Sequence, residues 1–389
     1  MSITLEIQLV AAVVALACAL PGTFLVLRRM ALMSDAISHT VLLGIVLGFF
    51  VTHDVTSPLL VLAAGGMGLI TVLLVETVRA TRLVAEDASI GIVFPALFSI
   101  AVILIGLYAG DVHLDTDAVL LGEIAFAPFR RFEPGGTDLG PRAVWVMGGV
   151  LLLNAAFIAA FYKELKLSTF DPALAAALGF APGLLHYAFM GMVSITAVGA
   201  FDTVGSVLVV ALMIAPPAAA YLLTDRLPVM LGLSALVAVT SAILGFWIAW
   251  WIDASIAGSM ATTAGLLFGL AFMLAPGRGV LSRVRQRIRQ RAEFRRRMLA
   301  IHLMHHEHGA EAESETREDH LQMHLGWSPD LARAIVDDAV RAGLVQREND
   351  GRLSLTDEGR DVAREAMLIS ATGAALQRTA RAPLPAARV

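Results

Sequence analysis

The stretch LEIQLVAAVVALACALPGTFLVL, Leu5 to Leu27, holds one charged residue, Glu6, in a run long enough to cross a bilayer. A spanning helix needs about 20 mostly apolar residues, because each adds only about 1.5 Å against a hydrocarbon layer roughly 30 Å thick. No basic flank of a secretory signal precedes the run, so it reads as a retained membrane helix. The same rule applied outward adds runs near 36–52, 58–78, 89–109, 143–162, 184–200, 203–222, 229–251 and 255–275, making nine. The seventh carries Pro216-Pro217, a helix-breaking pair, and joins its predecessor tightly at Ala200-Phe201-Asp202. Eight spans plus a re-entrant piece is therefore the rival count.

Composition agrees. The 389 residues are 57% hydrophobic and 16% charged, with a mean hydropathy of +0.73, so the bilayer is the solvent. Residues 1–276 hold ten Lys and Arg against seventeen Asp and Glu, whereas residues 277–389 hold nineteen against sixteen. The chain is thus an acidic apolar body with a polar appendage. A single cysteine, Cys18, excludes an internal disulfide, a cysteine zinc cluster and a CxxC redox pair. The two lysines, Lys163 and Lys166, sit in no phosphate-binding loop, so ATP-driven work needs a separate subunit and the chain is no enzyme.

Basic residues mark the cytoplasmic side of a membrane protein. Arg28-Arg29, Arg79, Arg82, Lys163, Lys166, Arg226 and nine arginines between Arg278 and Arg297 all follow odd-numbered spans. The expected topology is N-terminus outside and C-terminus inside. Arg130, Arg131 and Arg142 land outside, against the trend, and residues 118–129 are a candidate for dipping into the membrane.

Beyond 1–276, three further parts are expected: a basic juxtamembrane helix over 277–297 suited to anionic lipid, a small soluble domain over 298–369 and a disordered tail over 370–389. Helices near 298–309 and 316–325, a turn at Gly326 to Pro329, a helix from Asp330 to Ala342, and strands Leu344–Arg347 and Arg352–Leu355 around Asn349-Asp350-Gly351 make a winged-helix pattern. The expected fold is an all-α polytopic membrane protein with a small α+β winged-helix-like cytoplasmic domain.

In the apolar body, SDAISHT puts Asp35 and His39 one turn apart on one helical face. Ionisable residues inside a span are costly, and carboxylate plus imidazole suits manganese, zinc or ferrous iron. The plainer reading is a hydrogen bond that pins two helices. Asp202, flanked by glycines, reads either as a pore-lining carboxylate or as a helix N-cap. The outer loop Asp111, His113, Asp115 and Asp117 lacks the glycine and terminal Glu of a calcium loop and serves to attract cations diffusely. Asp171-Pro172 starts a short interfacial helix that Gly179 ends.

That short helix, through Asp171, Ala175 and Gly179, resembles the coupling helix that importer-type ABC permeases insert into their ATPase. LRRMALMSDAISHTVLLGI (27–45), EDASIGIVFPALFSI (86–100), LLGEIAFAPF (120–129), FDPALAAALGF (170–180) and FDTVGSVLVVALMIAPPAAAYLL (201–223) resemble the manganese/zinc/iron permeases of bacterial ABC metal importers. The resemblance implies a two-permease pore in the plasma membrane, cytoplasmic ATPase subunits, an extracytoplasmic metal-binding protein and a transported divalent ion, with Asp35 and His39 as metal contacts. Glu123 and Asp202 fall in family-like motifs without a firm ligand role.

The appendage, through AGLV-x-R-x-N-D-G-R-L-x-LTDEG, is similar to the iron-dependent-repressor metalloregulators. Its would-be recognition helix sets Asp330, Asp337 and Asp338 against Arg333 and Arg341, a poor match to DNA phosphates. Histidines concentrate here: His302, His305, His306, His308, His320 and His324, with Glu307 and Glu311 nearby. The pairs His302/His306 and His320/His324 are candidate regulatory metal ligands, against solvated polar side chains as the plainer reading. Two rival functions stand beside an importer permease: a secondary metal transporter, which needs no ATP, and a membrane-tethered metal-responsive regulator.

Overall fold

A computed structural model describes residues 2–54, 57–108, 124–133, 137–307, 315–318, 321, 325–348 and 351–380. They divide into two compact units, Met1–Val280 and Leu281–Val389. In the first, helices α1 (Ile3–Leu27), α2 (Ala31–Thr52), α3 (Pro58–Ala80), α4 (Glu86–Tyr108), α5 (Arg142–Ala160), α8 (Pro182–Val204), α9 (Ser206–Leu223), α10 (Leu227–Ile252) and α11 (Ile256–Leu274) are long and apolar enough to span. All nine apolar runs of the sequence are therefore helices among the described residues. Two short helices, α6 (Tyr162–Phe170) and α7 (Pro172–Ala177), lie between α5 and α8.

Successive spans alternate in direction, so the ends of α1, α3, α5, α9 and α11 gather with α6 and α7 at one end of the bundle. The core forms around α1, whose residues from Val10 to Leu25 are largely buried against α5, α8, α9 and α10. Packing between apolar helices in lipid relies on close backbone approach and interhelical hydrogen bonds. Gly22 of α1 meets the Met213 backbone of α9, Gly44 of α2 meets Ala63 and Ala64 of α3, and Gly245 of α10 meets Met260 of α11. Buried Asn154 donates to the Ala17 carbonyl (3.0 Å) and to Thr196 Oγ1 (2.8 Å), tying α5 to α1 and α8.

Pro216-Pro217 does not break the seventh span: α9 runs unbroken from Ser206 to Leu223. A proline in a bilayer helix is tolerated when neighbours take up the freed backbone groups. Pro217 has no N–H for the carbonyl four residues earlier, that of Met213, and this is the carbonyl that abuts Gly22. The break falls instead at one residue, Gly205, whose φ of 78° suits glycine. Ile124–Phe129 form a 3-10 helix with Ile124, Ala127 and Pro128 buried, while 118–123 lie outside the described residues.

In the second unit, α12 (Val280–His306) is continuous across position 298, where the sequence suggested a boundary. No glycine or proline interrupts it, and its Arg, Leu and Met favour helix. Then follow α13 (Pro329–Arg341), strands β1 (Val345–Arg347) and β2 (Leu353–Leu355), and α14 (Asp357–Ala380). The strands pair antiparallel, Val345 opposite Leu355, and each is one residue shorter than the pattern predicts. Leu299, Leu303, Leu321, Val336, Val345 and Leu353 share a core. Half of the expected helix 316–325 lies outside the described residues, and its start is not helical: Thr316 and Glu318 are in turns and Arg317 forms an antiparallel bridge with Arg352. Asn349 and Asp350 are likewise outside the described residues. Helix α14 continues into the alanine-rich 370–380, read from composition as tail, and 381–389 are outside the described residues.

Candidate functional site

Asp35 and His39 occupy the first turns of α2, on the half-exposed stripe of an otherwise buried helix. Asp35 Oδ1 lies 3.4 Å from His39 Nε2, with the side chains 37% and 26% exposed. The imidazole stacks on Phe94 (centroids 5.6 Å apart) and meets the edge of Phe98 (5.8 Å), both from α4. These rings fix the imidazole plane and leave the carboxylate open. Two donors do not complete a coordination sphere, and no group of three His, Cys, Asp or Glu suited to a metal occurs among the described residues. Any further ligands come from outside these residues or from solvent.

Asp202 is not brought to this pair. It sits in the last turn of α8, at the opposite end of the bundle, so it is not the N-cap of α9; Gly205 is. Its carboxylate is 83% exposed and lies 3.5 Å from Arg130. Nearby, Arg131 pairs with buried Glu6 and with Asp138, each at 2.8 Å. Two of the three arginines that oppose the charge bias, Arg130 and Arg131, are thus matched locally by carboxylates. Glu123 and the cluster Asp111, His113, Asp115 and Asp117 lie outside the described residues.

The short helix α7 forms as its local chemistry dictates. Asp171 Oδ1 accepts from the Leu174 N–H (2.9 Å), Pro172 fills the first position, and Gly179 takes φ +87°. Phe180 N–H bonds the Ala175 carbonyl and Gly179 N–H that of Ala176, the double bond pattern of a Schellman ending. Ala175 is buried, whereas Phe170, Leu174, Leu178 and Phe180 are exposed, giving a small rigid knob with an apolar surface.

Sequence reasoning missed a polar junction at the same end. Arg28, which caps α1, donates from Nε to Thr169 Oγ1 (3.0 Å) and from Nη2 to Ser168 Oγ (3.1 Å), both in α6. Its Nη1 faces His186 Nδ1 of α8 at 3.4 Å, and its guanidinium lies 4.9 Å from the centre of the Phe189 ring. His186 Nε2 is 2.6 Å from Glu76 Oε1 of α3, and Tyr187 donates to Glu76 Oε2 at 2.5 Å. Burial pulls the Arg28 pKa down to about 10, which leaves it a cation at physiological pH. Two ionisable groups inside apolar runs, Glu76 and His186, were the available signal.

In the second unit, His302 is buried with Nε2 3.2 Å from the Glu315 carbonyl oxygen, and its ring lies 4.7 Å from that of His306. His306 pairs with the Glu315 carboxylate, and Glu307 is held by Arg360. His320 and His324, like His308 and Glu311, lie outside the described residues. Arginines around α13 face carboxylates: Arg296 and Arg341 meet Asp338, Arg333 meets Glu318, and Arg347 meets Asp337. On α12, Arg287, Arg291 and Arg295 instead line an open cleft of about 520 Å³ with Phe294, Met298 and Trp327.

Comparison with known proteins adds four findings. The profile of the ABC 3 transport family matches residues 1–275. Zinc transport system membrane protein TroD of Treponema pallidum (strain Nichols) is 48% identical over 367 residues, covering 94% of this chain and 100% of the relative. That alignment reaches well into the second unit. Manganese transport system membrane protein MntD of Bacillus subtilis (strain 168) is 51% identical over 236 residues, covering 61% of this chain and 80% of the relative. Among solved structures, PsaBC from Streptococcus pneumoniae in complex with Fab matches with a TM-score of 0.60 and 28% identity, over 72% of this chain and 94% of that one.

Proposed function

Since the chain belongs to the ABC 3 transport family, we propose that it is the permease subunit of an ATP-dependent importer of a divalent transition metal, zinc or manganese, in the bacterial plasma membrane. It hydrolyses no ATP itself. The observation that carries this reading is the Asp35–His39 pair, an aromatic-braced carboxylate and imidazole inside a spanning helix of a chain with this ancestry. Neutral imidazole with carboxylate matches the donor preference of these ions, and a two-donor site binds weakly enough to release its cargo. Asp202 with its arginine neighbour serves the opposite mouth, where its charge attracts or passes the ion.

In this reading α7 faces the cytoplasm, and its apolar knob at Leu174 and Leu178 seats in a separate ATPase subunit. An extracytoplasmic binding protein delivers metal at the other end, and a second permease, identical or related, completes the pore and the coordination of the ion. Helix α12 rests on anionic lipid through Arg287, Arg291 and Arg295. The second unit is winged-helix-like and similar to metal-dependent repressors; the carboxylates that occupy its arginines argue against DNA, and its role is to damp transport, through metal sensed at the neighbouring His302 and His306 or through partner docking.

The test is metal uptake in a strain lacking other importers. Asp35→Ala with His39→Ala is expected to abolish uptake while the protein still reaches the membrane. Uptake at the wild-type rate sinks the site assignment, and gradient-driven transport by the purified chain without ATPase subunits would favour a secondary transporter.

A further inference from the structure

Arg28 stands where three segments meet. A buried guanidinium is stable only if its donors find acceptors, and here none of the acceptors on Nε or Nη2 is a carboxylate: they are the hydroxyls of Thr169 and Ser168. Thr169 precedes the cap residue of α7, Asp171, by one turn of chain at most, so the two hydroxyls move with that helix. The third contact leads inward. Because Arg28 is a donor, the facing His186 Nδ1 is an acceptor, which leaves the proton on Nε2; that nitrogen lies 2.6 Å from Glu76 Oε1 without the geometry of a hydrogen bond. Glu76 is held from its other oxygen by Tyr187.

The Glu76–His186 pair resembles a metal half-site in composition, yet the guanidinium 3.4 Å from the imidazole repels a cation there. Its chemistry is instead that of a mechanical joint: α6, the end of α1 and α8 meet at one planar, always-charged fork, and α8 is tied on to α3 by the Tyr187–Glu76 bond. Arg28 also leads into Arg29, whose φ of 61° makes the sharp turn into α2, the helix of Asp35 and His39.

We infer that Arg28 is a positioning residue through which displacement of the α6–α7 segment is passed to α1, α3 and α8, and so to the α2 helix that carries the metal pair. This rests on the proposed docking of α7 in an ATPase. The bonds make α6 and the bundle move together; without them α7 can follow the ATPase while the spans stay behind. Contiguous networks of this kind carry coupling between sites because their bonds have discrete arrangements.

The experiment uses the complete transporter, permease with ATPase subunits and binding protein, in liposomes, reading metal moved and ATP hydrolysed in the same vesicles with Mn²⁺ or Zn²⁺ as cargo. Ser168→Ala with Thr169→Val removes the α6 acceptors and leaves the spans intact; Arg28→Gln removes the donor. Each is expected to lower metal moved per ATP on the order of tenfold, with hydrolysis within about twofold of wild type, and Arg28→Lys to recover only part of the loss because it lacks the fork. An unchanged ratio in the Ser168/Thr169 variant overturns the inference, as does an equal fall of transport and hydrolysis, which would mark a structural role. If the wild-type complex moves no metal at all, the importer reading fails instead.

Discussion

Gly22→Ala probes how closely α1 and α9 approach. A β-carbon added there would lie 2.1 Å from the Met213 carbonyl oxygen, 2.9 Å from its carbon and 3.0 Å from its Cα. All three atoms are backbone, so no side chain can swing away, and the helices must part by roughly 1 Å to reach ordinary contact. Overpacking of this kind costs about 1–3 kcal/mol, here at the upper end. Alanine offsets about 1 kcal/mol of that through its better helix propensity. The net expectation is a loss of about 1–2 kcal/mol. Gly149→Ala in α5 and Gly265→Ala in α11 are internal controls, because an added β-carbon meets nothing within 4 Å at either. They should gain up to about 1 kcal/mol, separating the two classes by about 2–3 kcal/mol. Thermal unfolding of the purified chain in detergent, followed by fluorescence or by loss of the monodisperse peak, reads the difference. If Gly22→Ala unfolds no earlier than Gly149→Ala, the contact between the Met213 carbonyl and α1 is not made.

Two further expectations concern the ends of the bundle and the basic helix. Asp171→Ala removes the cap of α7 and about 1 kcal/mol of local stability, so ATP hydrolysis in the assembled transporter should fall, with Asp171→Ser recovering most of it; equal rates in all three proteins would remove the cap from the mechanism. In nanodiscs, trypsin should cut after Arg287, Arg291 and Arg295 more slowly when anionic lipid is present, at about 1 kcal/mol of attraction per arginine, and salt should erase the protection; protection that is identical in zwitterionic lipid would sink the lipid contact.

Hydropathy located every span because the bilayer imposes one length on each, but it misjudged the starts where polar residues sit inside a helix. The run from 36 omits Ala31 to Asp35, yet these form the first turn of α2, since helical hydrogen bonding continues through Ser34 and Asp35 regardless of their polarity. Asp202 failed as an N-cap for a similar reason: α8 continues two residues past it, to Val204. The ends of α7 were legible because caps act over three or four residues, as in the bond from Leu174 to Asp171. Arg28 was read only as a marker of sidedness. Its partners lie 140 to 158 residues away, and no local pattern reports a contact made by helix packing at that separation.

Gly205 has a bearing on how the protein is made. With one non-helical residue between α8 and α9, there is no loop that could wait on one side of the membrane while the first helix settles. An apolar α9 left outside would stand in water from Ser206 onward, so the two helices are expected to enter the lipid as a pair. In the proposed topology Asp202 would lie at the leading tip of the bend between them, the most polar point of the load, next to Arg130. A residue that forces φ negative at position 205 would therefore be felt first in the yield of inserted protein, before any question of transport arises.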